Sequence, residues 1–252
     1  MSILDRMKRS PAPQATASSG GISLEKRAPG LVDLHKKAGI SLAKSNLTGV
    51  KASVYLVLDH SGSMRTYYRD GTVQRFTERV LAAAAHFDDD GSVPVLLFDT
   101  SDHPIQDVTV DDYQGAVERL HAAAGRMGTT NYAVAMRSVI AHYRASGARE
   151  PAFVVFETDG SPDNRREAEK VLCEASTLPI FWQFVGFGPD RFDFLRKLDD
   201  LAVPGKRVID NAGFFEAGKD PDRMSPENLY DHLMDEFPAW LRAARQQGIV
   251  RS

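Results

Sequence analysis

The chain has 252 residues, which suits one α/β domain with an appendage better than two full domains. With 42% hydrophobic and 26% charged residues it can fold around a proper core, so a disordered chain is excluded. A formal net charge of −3 and a pI of about 6.2 argue against a dedicated nucleic-acid binder.

Cys173 is the single cysteine, so neither an internal disulfide nor a cysteine metal site can form. Cys173 itself reads as an inert thiol in a helix, and a reducing, cytoplasmic setting is expected. No apolar run approaches the roughly 18 residues of a membrane span. The N-terminal MSILDRMKRS carries Asp5, Arg6, Lys8 and Arg9 and lacks the apolar centre of a signal peptide.

Residues 1–48 are expected to form an N-terminal extension ahead of a domain over 49–248. Within the extension, SPAPQATASSGGI (10–22) has the composition of a flexible linker. The following stretch, 30–44, spaces Leu31, Leu34, His35, Ala38 and Leu42 at helical intervals, which predicts a short amphipathic helix that either packs on the domain or receives a partner.

From Ala52 onward, apolar strands alternate with amphipathic helices. Strands are predicted at VYLVLD (54–59), VPVLLFD (93–99), AFVVFETD (152–159), IFWQFVGF (180–187) and RVID (207–210). Their near-continuous apolar character is what strands buried on both faces require. IQDVTVDDY (105–113) alternates instead and predicts an antiparallel edge strand against 93–99. Helices are predicted at Val73–Phe87, Asn131–Ala145, Asn164–Ser176, Asp190–Leu198 and Pro226–Ala244. The expected fold class is α/β, a doubly wound, mostly parallel sheet with one antiparallel edge strand and helices on both faces.

Ligand sites in such sheets lie beyond the carboxyl ends of the strands. Three polar clusters fall there: DHSGS (59–63), GRMGTTN (125–131) and ETDG (157–160). Together they would assemble Asp59, Ser61, Ser63, a threonine (Thr129 or Thr130) and Asp159. Every donor is an oxygen, which suits a hard divalent cation, with Mg²⁺ favoured over Mn²⁺ and Ca²⁺. Two acids among five ligands would leave the ion with positive character and room for a carboxylate from outside.

These residues resemble the D-x-S-x-S … T … D-G metal-ion-dependent adhesion site of von Willebrand factor type A (vWA) domains, over roughly 50–245. The resemblance implies that Asp59, Ser61 and Ser63 ligate the metal, with Thr130 and Asp159 adding direct or water-mediated contacts. The family's threonine spacing favours Thr130, with Thr129 in reserve. It implies a protein-binding module, not an enzyme, that captures an Asp or Glu side chain of a partner. YRDGTVQRF (68–76) and HFDDDGSVPVLLFDT (86–100) further resemble vWA proteins of bacterial tellurium-resistance (ter) and stress-response clusters, which implies partners from such systems.

Other readings have less support. A metal-dependent hydrolase or phosphatase lacks an evident general base, a G-x-S-x-G elbow and a phosphate loop. A scaffold with a purely structural metal is the third reading. FDDDG (87–91) reads as an acidic turn, not a calcium loop, and VGFGPD (185–190) as a strand-to-helix turn, not a dinucleotide fingerprint. The seven histidines show no HxH or HExxH spacing, so no zinc site is expected. His60, Tyr67 and Tyr68 are candidates for the rim of the oxygen site.

Overall fold

Residues 24–88, 90–203 and 205–251 are described by the structure, a computed structural model. The linker composition of 10–22 lies outside them, as does Asp89 of the acidic turn. In chain order the first half forms α1 (Leu24–Arg27), α2 (Val32–Lys44), β1 (Ser53–Asp59), α3 (Arg65–Arg69), α4 (Thr72–Ala84), β2 (Ser92–Phe98), β3 (Gln106–Thr109) and α5 (Ala116–Ala124). The second half forms α6 (Tyr132–Ser146), β4 (Ala152–Thr158), α7 (Arg165–Ala175), β5 (Ile180–Phe187), α8 (Asp193–Asp199), β6 (Ala212–Gly218), α9 (Pro226–Leu233) and α10 (Phe237–Gln246).

The strands make one sheet in the order β3-β2-β1-β4-β5-β6. All neighbours are parallel except β2 and β3, the expected antiparallel edge. Every residue of β4 and β5 is buried, because helices cover both faces. In β1, Val54, Leu56 and Leu58 face a core shared with α2, α4, α9 and α10, whereas Tyr55 and Val57 face one shared with α6 and α7. The chain leaves β1 toward β2 on one side and reaches β4 on the other. The switch point therefore lies at the C-terminal tip of β1.

The amphipathic segment, α2, docks on the domain, the first of the two outcomes open to it. Ala38, Leu42 and Leu47 join the larger core cluster, and His35 of α2 stacks on His86 just after α4 at 3.7 Å between ring centres. Lys44 pairs with Asp231 of α9 at 3.1 Å, and Ser41 donates a hydrogen bond to the same carboxylate.

Three elements differ from the sequence expectation. RVID is not a strand; the sixth strand is AGFFEAG, paired so that Ala212 faces Trp182. Arg207 is drawn inward, where its guanidinium donates to the carbonyls of Asp199 at 2.9 Å and Leu201 at 2.6 Å, tying down the end of α8. The glycines of AGFFEAG disguise the strand, yet Gly213 is required. A Cβ there would sit 2.8 Å from Glu236 Oε1 and 3.0 Å from Gln183 Oε1.

The expected helix over 226–244 is split at 234–236, because Pro238 cannot donate to the carbonyl of Met234 and instead opens α10. α5 was not expected at all. Its Ala116, Val117 and Leu120 face the core, but the flanking glycines and alanines blur the pattern.

If α2 is an integral layer, Leu42→Ala should cost about 3 kcal/mol in urea unfolding, as for a buried leucine with limited collapse around it. A loss below about 0.5 kcal/mol, the range of surface substitutions, would instead make α2 a loosely attached segment.

Candidate metal centre

The tip of β1 carries Asp59, and the parallel partner β4 ends in Thr158 and Asp159. Because Leu58 pairs with Glu157, Asp59 stands level with Thr158. The Thr158 hydroxyl donates to Asp59 Oδ2 at 2.6 Å, and the Ser61 N–H donates to Asp59 Oδ1 at 2.7 Å. From there a chain of oxygens continues: Ser61 Oγ lies 3.1 Å from Ser63 Oγ, which donates to Asp159 Oδ1 at 2.8 Å. Four of the five expected residues, Asp59, Ser61, Ser63 and Asp159, are thus joined by direct contacts.

Thr130 makes no hydrogen bond with those four, although its loop is tied to them. Gly62 N–H donates to Gly128 O at 3.0 Å, and Ser61 forms an isolated parallel bridge with Gly128. Thr130 itself is anchored through its backbone to Asp163, whose N–H it accepts at 2.8 Å. The Thr129 hydroxyl contacts Thr100 Oγ1 at 3.1 Å.

Burial dominates the electrostatics. Asp59 is fully buried, and desolvation pushes its carboxyl from 3.8 up to about 7, against the pull of the Thr158 and Ser61 hydrogen bonds. Asp159 is raised by burial, with its bond to Ser63 opposing. Glu157 is fully buried and raised well above the ordinary range by desolvation, then by Asp59 and Asp159. Neither of its carboxyl oxygens meets a side-chain partner, and only the Asp59 backbone N–H opposes the rise.

Within ETDG (157–160), Thr158 contacts Asp59 and Glu157 is buried beside it, roles that the motif itself does not assign because a polar residue inside a buried strand shows neither its face nor its neighbour in the sequence. Among the described residues, no Lys or Arg is among the groups acting on these three acids. Such crowding of acids without a counter-charge is what a bound cation relieves.

The donor set fits a hard divalent ion. Its atoms are carboxylate and hydroxyl oxygens, joined through Ser61, Ser63 and Asp159 by contacts of 3.1 Å and 2.8 Å, and such hard donors suit Mg²⁺, Mn²⁺ or Ca²⁺ rather than a soft ion.

The neighbouring His60 points elsewhere. It is fully buried, its Nδ1 lies 3.3 Å from Asp99 Oδ2, and its Nε2 lies 2.8 Å from His121 Nδ1. His103 Nε2 meets the same Asp99 oxygen at 3.0 Å. Burial lowers the His60 pKa. Burial would raise Asp99, but hydrogen bonds from His103, Ser101 N–H and His60 together hold it below the ordinary range. Sequence spacing hid this cluster, since its members come from β1, from the loop after β2, and from α5. Tyr68 packs against His60 and His121 and donates to Asp59 O at 3.1 Å, so its ring is core to this end of the sheet.

Comparison with known proteins agrees with this architecture. The chain is 41% identical over 225 residues, 87% of its length, to the uncharacterised Bacillus subtilis (strain 168) protein YcbR, of which it covers 90%. Among solved structures it is similar in fold to manganese-loaded TRAP protein of Plasmodium vivax, with a TM-score of 0.52 at 18% identity over 75% of this chain and 73% of that one. Proximal thread matrix protein 1 of the mussel byssus aligns with a TM-score of 0.54 at 14% identity over 74% of this chain, which spans 48% of the byssus protein. A von Willebrand factor type A protein from Catenulispora acidiphila gives 0.51 at 14% identity over 75% of this chain and 42% of that one. A family model for vWA-TerF-like domains, the vWA found in the TerF C terminus, matches residues 51–250, and the chain belongs to that family.

Proposed function

We propose that the chain is a divalent-cation-dependent protein-binding module, without catalytic activity, in which Asp59, Ser61, Ser63, Thr130 and Asp159 hold one Mg²⁺. The observation that carries this reading is the group of three acids at the strand tips, Asp59 and Glu157 fully buried and Asp159 half-buried; among the described residues, no basic side chain is one of the groups that shift them. Two of these acids border the oxygen chain, whose hard donors suit Mg²⁺ or Mn²⁺. The manganese in the TRAP structure is in keeping with such an ion.

Serine hydroxyls leave most of the ion's charge unneutralised. An Asp or Glu side chain from a partner protein would complete the coordination. The surroundings favour an acidic partner. A cleft of about 560 Å³ beside α3 is lined by Arg65, Arg69, Tyr68, Gln74, Glu118 and His121. The match to TerF-type domains supports a partner from a ter-type, stress-response assembly in the cytoplasm. No helix among the described residues is long and apolar enough to cross a membrane.

Isothermal titration should find one Mg²⁺ or Mn²⁺ per chain, bound more tightly than Ca²⁺. Asp59→Ala should weaken it by more than about a hundredfold, beyond the loss typical of residues one shell out, while the circular dichroism spectrum is kept. Immobilised chain should retain its partner in Mg²⁺ and release it in chelator. Unchanged cation affinity in Asp59→Ala would overturn the reading.

A pH dependence follows from the same carboxyl. Asp59 must lose its proton to ligate, so Mg²⁺ affinity should fall roughly tenfold per pH unit below about 7. In chelator the sign for stability is the reverse of an ordinary paired carboxylate. With the folded pKa above the unfolded one, the Asp59 contribution is complete below about 3.8 and lost as pH rises through about 7. Thermal melts across pH 4 to 8, with and without Mg²⁺, check both trends. Saturating Mg²⁺ should abolish the decline toward neutral pH.

A further inference from the structure

One residue beyond Asp59, the strand's period of two turns His60 toward α3 and α5, where it joins Asp99 and His103. One ligand atom from each of the three lies within 4.8 Å of the others. His60 Nδ1 and His103 Nε2 approach the same Asp99 oxygen at 3.3 Å and 3.0 Å. A tetrahedral ion with bonds of roughly 2.0–2.1 Å holds its ligands roughly 3.3 Å apart. Two imidazoles and one carboxylate form a borderline donor set, suited to Zn²⁺ and its neighbours and poor for Mg²⁺.

The cluster is held in place by outer contacts of the kind that support a metal site. His60 Nε2 has His121 Nδ1 at 2.8 Å, so the ring is oriented from behind with Nδ1 directed at the cluster. Asp99 Oδ1 accepts Ser101 N–H at 3.1 Å, which leaves Oδ2 facing the two imidazoles. The backbone of His60 is fixed to Phe98 O at 2.7 Å, and that of His103 to Leu97 O at 3.0 Å. Gly128 closes the other side, since a Cβ there would stand 3.0 Å from Asp99 Cγ. His103 is partly exposed and lines a small cavity of about 100 Å³ with Leu97, Pro104, Gln106 and Leu120, a route for an ion and for a fourth ligand.

We propose that His60, Asp99 and His103 form a transition-metal site, with Zn²⁺ as the expected occupant, separate from the oxygen site on the other face of the same strand tip. It does not depend on the oxygen-site reading. An ion there would bind the loop after β1 to the loop after β2 and brace the segment that carries Ser61 and Ser63.

Co²⁺ distinguishes the two sites, because a tetrahedral nitrogen-bearing centre absorbs visibly far more strongly than an octahedral oxygen one. The tag-free full chain, stripped with chelator, should take up one Co²⁺ with a tetrahedral spectrum and release it to Zn²⁺. His103→Ala and His103→Gln should both lose the band while keeping wild-type melting in chelator. Ser63→Ala should retain it in full. Absence of the band in the wild-type chain, its survival in either His103 variant, or its loss in Ser63→Ala would overturn the proposal.

Discussion

The parallel pairing of β1 with β4, and its register, governs everything at the functional end of this molecule. Leu58 opposite Glu157 brings Asp59 level with Thr158, within 2.6 Å of its hydroxyl. Had the strands slipped by one residue, every side chain of β4 would have turned to the other face. Asp59 and Asp159 would then no longer border one oxygen cluster. The register is secured well away from the site, where Phe153, Val155, Val154 and Phe156 lie in opposite cores. Hydrophobic packing thus supplies the force that holds three acids together against their mutual repulsion.

The cost of desolvating these carboxyls, more than their repulsion, is the energetic signature of the site. A structural cluster of buried carboxyls would ordinarily be paired with a basic residue or hydrogen-bonded throughout. Here the oxygens of Glu157 meet no side-chain partner, and Asp59 holds its proton up to about 7. The fold stores this cost because strands and helices on both faces over-determine the geometry. A hard divalent cation converts the same arrangement from a liability into a binding site.

Much of this was legible in the sequence, and the reasons for the exceptions are physical. DHSGS could be read because loop residues beyond a strand end are local in sequence, and four of the five expected residues do meet. The roles of Thr158 and Glu157 escaped notice because a polar residue inside a buried strand announces neither its face nor its neighbour. β6 was misplaced by a few residues since glycine normally weakens a strand, and only the approach of Glu236 and Gln183 explains Gly213. The break between α9 and α10 was foreseeable from Pro238, which the amphipathic period overrode in the reading. His60, Asp99, His103 and His121 span 61 positions and are joined by the fold alone.

The adjacency of Asp59 and His60 gives the strand tip a chemical division of labour. Consecutive residues on a strand point to opposite faces. One face of the tip presents carboxylate and hydroxyl oxygens, and the other presents imidazole nitrogens around one carboxylate. Hard ions such as Mg²⁺ are poorly held by imidazole, and borderline ions such as Zn²⁺ gain little from serine hydroxyls. The separation of donors by a single peptide unit would therefore sort ions by chemistry without any change of backbone. It would also couple them, since Gly128 N–H donates to the His60 carbonyl and Gly62 N–H donates to the Gly128 carbonyl in the loop that positions Ser61. An ion on the imidazole face would restrain that loop, and lower the ordering cost of capturing an ion on the oxygen face.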